Sequence, residues 1–231
     1  MASPTGAPAP GALARYDGAV PATVVLVRHG VTPLTEAGAL SGGDDVGPSL
    51  TTTGRRQAAQ AADAVFRIGK DLWPDVPRPD AVVASPMART QETAAAVSRR
   101  IGAPVRTDER FAECTFGEWQ GLTPGQVAEH WPGELSRWVR EGTYAPPGGE
   151  SYADLCARVR PALDDVVAAH PTGTSVVVAH AAVIRSLVGA MLEAPPTAWG
   201  RIRIPPCSLS ILRIWPDGER EVSVVGFPTD V

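Results

Sequence analysis

Thr23-Val24-Val25-Leu26-Val27 runs as an unbroken aliphatic, mostly β-branched stretch into Arg28-His29-Gly30. So short and apolar a run suits a strand buried on both faces of a parallel sheet. Working outward, two later stretches repeat the pattern: Ala81-Val82-Val83-Ala84 and Ser175-Val176-Val177-Val178-Ala179. Between them the chain reads as helix. An Ala-rich stretch opens after Thr53 and runs to about Lys70, and a second follows Ser85-Pro86-Met87-Ala88-Arg89 to about Arg100. Ser151 caps a longer one to about His170, interrupted by Pro161, and a last one spans Ala182 to about Glu193. Thr123-Pro124-Gly125-Gln126 has the pattern of a capping box with proline at the first helical position, so short helices are expected over 124–141. Residues 38–49 and 109–121 read as loops and 105–107 as a short strand. Two strand-like runs, 208–215 and 221–227, flank the turn signal Pro216-Asp217-Gly218. Strand and helix alternate throughout, which predicts an α/β fold: three layers, α/β/α, around a mostly parallel central sheet.

Composition narrows the function. The 231 residues are 44% hydrophobic and 20% charged, enough apolar material for a sizeable core. A net charge of −4 without a basic block argues against nucleic acid as a partner. No apolar run approaches the ~20 residues that span a bilayer, so no membrane partner is expected. Residues 1–22, rich in Pro, Gly and Ala, read as a disordered lead without the apolar core of a signal peptide. Cys114, Cys156 and Cys207 are odd in number and lack metal-ligand spacing, which suits inert thiols in a reducing cytoplasm.

The chemistry collects where the buried strands end. The first ends in Arg28-His29, the second leads to Arg89 one turn on, and the third ends in His180. Ligands of open α/β sheets bind beyond the carboxyl ends of the strands, so these four side chains can share one cleft. Guanidinium forks match phosphate oxygens in pairs. A neutral imidazole is a nucleophile as well as a base. No acidic cluster or Cys/His spacing offers a metal site. The combination suggests phosphoryl transfer through a phosphohistidine, driven by positioning and charge neutralisation, with no metal and no cofactor.

The same residues carry a family resemblance. Val25 to Thr32 resembles the Arg-His-Gly signature of the histidine phosphatase superfamily, in its phosphoglycerate mutase-like branch. Leu50-Thr51-Thr52-Thr53-Gly54-Arg55-Arg56-Gln57-Ala58 resembles the helix start that follows it, and Ala84 to Ala94 the second phosphate-binding segment. Phe111 to Gly121, Pro147-Gly148-Gly149-Glu150-Ser151 and Val176 to His180 complete the set in order. By this resemblance His29 is the nucleophile, Arg28 and Arg89 clamp phosphate, and His180 binds the phosphoryl oxygens. Glu113 is the acid that protonates the leaving oxygen and later activates water. That role requires a locally raised pKa. Glu109 and Glu118 are nearby alternatives for the acid.

The sequence departs from the family pattern at three places. Thr35 stands where the family often has Asn, as a weaker phosphate donor. Ala181 follows His180 in place of the common Gly, with its backbone N–H kept available. Gly47-Pro48-Ser49 replaces the usual entry to Leu50-Thr51, so a differently shaped loop is expected there. Ser85 reads as a turn or supporting residue rather than a ligand, and His130 and His170 as helix-end residues. Trp119, Trp131 and Trp138 read as core or lid packing. Arg137, Arg140, Arg158 and Arg185 either attract further anionic groups or solvate the surface.

The expected organisation is therefore one domain over 23–231 with a small helical lid insertion at about 121–150. The expected activity is hydrolysis of a phosphomonoester on a small phosphorylated metabolite, in the manner of the broad-specificity and α-ribazole-phosphatase-like members. Two alternatives stand beside it: a phosphoglycerate-type mutase, and a catalytically silent phospho-ligand binding protein. The short lid region and the absence of a long tail after the last strand favour water as acceptor over a second substrate. A homodimer is compatible with the resemblance and is not read from the residues.

Overall fold

The computed structural model describes residues 18–230. The expected N-terminal lead falls outside the described residues up to position 17, and Ala22 already belongs to the first strand. Six strands form one sheet: β1 (Ala22–Arg28), β2 (Pro79–Ala84), β3 (Val105–Thr107), β4 (Thr174–Ala179), β5 (Leu209–Ile214) and β6 (Arg220–Phe227), in the order β3-β2-β4-β1-β5-β6. The pairings from β3 to β1 are parallel, while β5 and β6 add antiparallel to that edge. The sheet is thus mixed and mostly parallel, as the alternation of elements requires.

The aliphatic runs serve both faces. Val24 and Leu26 of β1 enter one apolar core, and Val25 and Val27 enter the other. In β4, Val177 and Ala179 face the first core, and Val176 and Val178 the second. Such two-sided burial is what continuous rather than alternating apolar strands achieve. One face is covered by α2 (Thr52–Arg67) and α3 (Ala88–Ile101), which turn small side chains such as Ala58, Ala61, Ala62 and Ala94 inward. The other is covered by α6 (Tyr152–Ala169) and α7 (Ala181–Met191), with α4 (Pro124–His130), α5 (Glu134–Glu141) and α8 (Pro196–Trp199) packed outside them.

Several local expectations shift. α2 starts at Thr52, not after Thr53, because Thr51 is the cap: its hydroxyl accepts from the Gly54 N–H at 3.1 Å. Three consecutive threonines look alike as caps, and the packing of Gly54 selects among them. The four-residue helices α1 (Pro33–Glu36) and α8 lie in segments for which no element was expected. The loop expected over 109–121 contains two 3-10 turns, Glu109–Phe111 and Gly117–Trp119. The Thr123 capping box and the Ser151 cap form as expected, the latter reciprocated by Asp154. α6 continues through Pro161.

Candidate active site

β1 and β4 are parallel neighbours with Arg28 opposite Ala179, so His29 and His180 leave adjacent strand ends in step. The His29 N–H donates to the Ala179 carbonyl at 3.1 Å. The chain then divides. After β1 it leads to α2 on one face, and after β4 it enters α7 on the other. A crevice opens where successive connections part in this way, at the carboxyl ends of the strands.

The four charged or imidazole side chains read from the sequence meet in that crevice. The rings of His29 and His180 lie edge to face with centroids 5.2 Å apart. The Nδ1 of His29 is 2.7 Å from the Gly30 carbonyl. A carbonyl only accepts, so Nδ1 carries the proton and Nε2 keeps a bare lone pair. Burial first, then Arg28 and Arg89, hold the His29 pKa well below 6.5. Burial, Arg89 and His29 do the same for His180. Both imidazoles are therefore neutral near pH 7.

Arg89 projects from the first turn of α3 and is fully buried. One nitrogen, Nη2, donates to the Ser41 and Gly42 carbonyls at 3.1 and 3.2 Å. Its Nε and Nη1 have no hydrogen-bond partner among the described residues. Arg28 donates from Nη1 to the Ile204 carbonyl at 2.7 Å, and its Nε is likewise without a partner. His180 Nδ1 completes this set of buried, unpartnered nitrogens. Buried polar groups are normally hydrogen-bonded, so donors in this arrangement suit an anion with several oxygens. Among the described residues, no three His, Cys, Asp or Glu side chains are gathered as for a metal ion.

Glu113 is buried beside this cluster, whereas Glu109 and Glu118 are exposed. Its Oε1 accepts from the Cys114 N–H at 2.9 Å, and its Oε2 from the Ala182 N–H at 3.3 Å. Burial pushes its carboxyl above the usual range, against the pull of the Cys114 N–H, Arg89, the Ala182 N–H and Arg28. A carboxyl raised in this way holds a proton to higher pH than an exposed glutamate does.

The remaining sequence expectations divide. Ala181 opens α7, and its N–H has no partner among the described residues, while the next one is given to Glu113. Thr35 turns to its own helix cap: its Oγ1 lies 3.0 Å from that of Thr32, and no hydrogen bond ties it to the arginines or histidines. His130 and His170 end α4 and α6, and His170 lies 3.9 Å from Asp80. Trp119 and Trp138 are buried; Trp138 stacks on Tyr152 at 4.5 Å, and half-buried Trp131 lies against Trp119. The three cysteines are free thiols, each with its pKa raised by burial, Cys207 to about 12.

Residues that the sequence left without a role hold the site in place. Gly54 abuts Val31 so closely that a Cβ would strike the Val31 carbonyl; Thr51 N–H donates to that carbonyl, and Gln57 Oε1 accepts from Val31 N–H at 3.0 Å. Thr93 accepts from Gly30 N–H and donates to the Arg89 carbonyl, which fastens the turn after β1 to α3. Gly47, at φ +67°, leaves its Cβ space to the Arg89 guanidinium, so the altered entry before Leu50 lies directly against this cluster. Arg158, one of the arginines with no assigned role, donates to the carbonyls of Arg110, Ala112 and Glu113 and to the Glu150 carboxylate. Arg137 pairs with exposed Glu141, whereas Arg185 donates to the Ile202 carbonyl and the Tyr152 hydroxyl and adds its charge to the field at Arg28. The contacts of Val31 with Thr51, Gly54 and Gln57, of Gly30 with Thr93, and of Arg158 with residues 110–113 span twenty residues or more and leave no local signal.

Comparison with known proteins agrees with this geometry. The family model of the histidine phosphatase superfamily (branch 1) matches residues 24–225. A bifunctional protein of Mycobacterium tuberculosis is 34% identical over 205 residues, which are 89% of this chain and 54% of that protein. The chain thus spans about half the length of that relative. The glucosyl-3-phosphoglycerate phosphatase of Mycobacterium tuberculosis is 35% identical over 184 residues, covering 76% of this chain and 78% of the relative. A solved mycobacterial glucosyl-3-phosphoglycerate phosphatase complexed with VO3 superposes with a TM-score of 0.78 at 32% identity, covering 89% of this chain and 98% of the other. On the match of motif, fold and crevice together, the chain belongs to the histidine phosphatase superfamily, branch 1.

Proposed function

We propose that the protein is a phosphomonoester hydrolase that works through a phosphohistidine on a small phosphorylated metabolite, with no metal or cofactor. One observation carries this reading: buried nitrogens of Arg28, Arg89 and His180 lack partners beside His29, which feels the charge of both arginines, lies 5.2 Å from the His180 ring and commits its Nδ1–H to Gly30. The donors hold three phosphoryl oxygens, and His29 Nε2 attacks phosphorus in line with the ester oxygen. The P–O bond breaks as the N–P bond forms, and Glu113 gives its proton to the departing oxygen. Water then attacks the phosphohistidine, Glu113 takes the water's proton, and phosphate leaves with the histidine restored. Charge on the transferring group is met by fixed cations and N–H donors in a dry crevice, where electrostatic stabilisation is strongest.

The substrate follows the relatives as a proposal: glucosyl-3-phosphoglycerate and other phosphorylated three-carbon acids are the first compounds to assay. Helices α4 and α5, with the segment up to Glu150, serve as the lid of a single domain. The free thiols fit a reducing cytoplasm. Rapid acid and alkaline quenching of turnover tests the mechanism. An acid-labile, base-stable phosphoenzyme should appear and be absent in His29→Ala, with turnover unchanged by EDTA. Hydrolysis persisting in His29→Ala would remove the nucleophile assignment. Conversion of 3-phosphoglycerate faster than its hydrolysis would assign a mutase instead.

A further inference from the structure

We propose that Ser85 is a positioning residue that sets the proton of His180: its hydroxyl donates to Nε2, which places the proton on Nδ1 and presents that N–H to the transferring phosphoryl group. The inference rests on the phosphotransfer reading above and assigns a residue that the reading does not use.

Ser85 follows β2, the neighbour of β4 on the side away from β1. Its Oγ lies 2.7 Å from His180 Nε2, and both side chains are fully buried. Among the described residues this is the one hydrogen bond of the Ser85 hydroxyl. The backbone of Ser85 is pinned separately: its N–H donates to the Val178 carbonyl at 3.1 Å, and its carbonyl accepts from Thr90 Oγ1 and Gln91 Nε2 at 2.9 and 2.7 Å. The turn therefore does not need the hydroxyl.

A neutral imidazole has one donor and one acceptor nitrogen. The bond to Ser85 can run either way, and the two directions have opposite consequences. Were Nε2–H to donate to Ser85, Nδ1 would turn a lone pair toward phosphoryl oxygens that can only accept. With Ser85 donating, Nδ1–H becomes a hydrogen-bond donor without the ring being charged. Nδ1 is the buried nitrogen of His180 with no protein partner. Arg28 and Arg89 nearby oppose an imidazolium, so a donor obtained without a charge is the form that this crevice tolerates. His29 is held in the same tautomer by Gly30 but presents its bare Nε2. One tautomer thus serves two purposes: the first ring attacks, the second holds.

The test combines ¹⁵N-histidine NMR with vanadate titration of the full chain and its Ser85→Ala and Ser85→Thr variants. In the wild type the His180 signals should report protonated Nδ1 and bare Nε2, with the Nδ1–H shifting on vanadate binding. Ser85→Ala should mix the tautomers, weaken vanadate binding about tenfold and lower kcat with little change in unfolding temperature. Ser85→Thr, which keeps the hydroxyl, should return most of the affinity. A proton on Nε2 in the wild type, or unchanged vanadate affinity and tautomer in Ser85→Ala, overturns the proposal. If the wild type neither binds vanadate nor hydrolyses phosphate esters, the parent reading fails, and the tautomer of the ligand-free protein still decides the role of Ser85.

Discussion

Arg158 and Glu150 meet in two hydrogen bonds, Nε to Oε1 at 2.9 Å and Nη2 to Oε2 at 2.6 Å. The remaining capacity of the pair is spent on one segment: Arg158 holds the carbonyls of residues 110, 112 and 113, and Glu150 accepts from the Thr115 N–H at 3.0 Å. The strip that bears Glu113 is thus tied on both sides of it to α6 and to the residue before the α6 cap. Arg158→Met should let Glu113 wander. We expect it to slow hydrolysis of alkyl phosphates about tenfold or more while p-nitrophenyl phosphate, whose leaving group needs little protonation, loses much less. The pair is about a quarter exposed, so the stability loss should be on the order of 1–3 kcal/mol, read by urea unfolding. Equal losses on both substrates would assign the pair to folding alone.

Glu113→Gln gives the complementary outcome. The amide cannot deliver a proton, so substrates with poor leaving groups should lose ~10²–10⁴ in kcat. Loss on p-nitrophenyl phosphate should be far smaller. Steady-state kinetics across a leaving-group series checks this. A uniform loss would point to another acid.

Stability should fall on acidification, from the histidines. Burial and the arginines hold His29 and His180 below 6.5, so in that range the unfolded chain binds protons that the folded chain refuses. The slope should approach ~2.7 kcal/mol per pH unit for the two together, setting in as pH drops through the unfolded histidine value. Glu113 acts with the opposite sign. Its raised pKa contributes stability that is complete below 4.5 and is lost as pH rises through the folded value. Glu113→Gln should therefore raise stability at neutral pH and steepen the loss on acidification. Urea titrations at pH 7.5, 6.5 and 5.5 measure both. A flat profile would show the histidines charged in the folded chain.

Gly54→Ala tests the contact behind the Arg-His-Gly turn. The added methyl would meet the Val31 carbonyl, an atom of backbone that cannot swing aside. Overpacking of this kind costs ~1–3 kcal/mol. Thermal unfolding should show the loss, and phosphate affinity should drop with it because the same turn carries His29.

The parts legible in the sequence share one property: their signals are local. β1, β2 and β4 were visible as aliphatic runs because both faces of each strand are buried. The meeting of Arg28, His29, Arg89 and His180 was legible because parallel strands bring their carboxyl ends to one edge of the sheet. The start of α2 was misplaced because Thr51, Thr52 and Thr53 offer equal caps until Gly54 is seen against Val31. α1 and α8, at four residues each, are too short for a helical period to register. The hold of Arg158 on the acid-bearing strip could not be read: those three bonds go to backbone carbonyls, and a carbonyl leaves no mark on the identity of the residue that bears it.

The place of β1 in the sheet bears on synthesis. Its two flanks are residues 174–179 and 209–214, both made long after it. A nascent chain therefore carries this aliphatic strand with neither edge covered until residues 174–179 have been made. Unpaired edges of this kind invite association with other chains. The crevice between His29 and His180 cannot exist on the ribosome until α7 has emerged. Chains stalled or clipped before residue 209 should bind no vanadate and should be clients of the chaperone machinery.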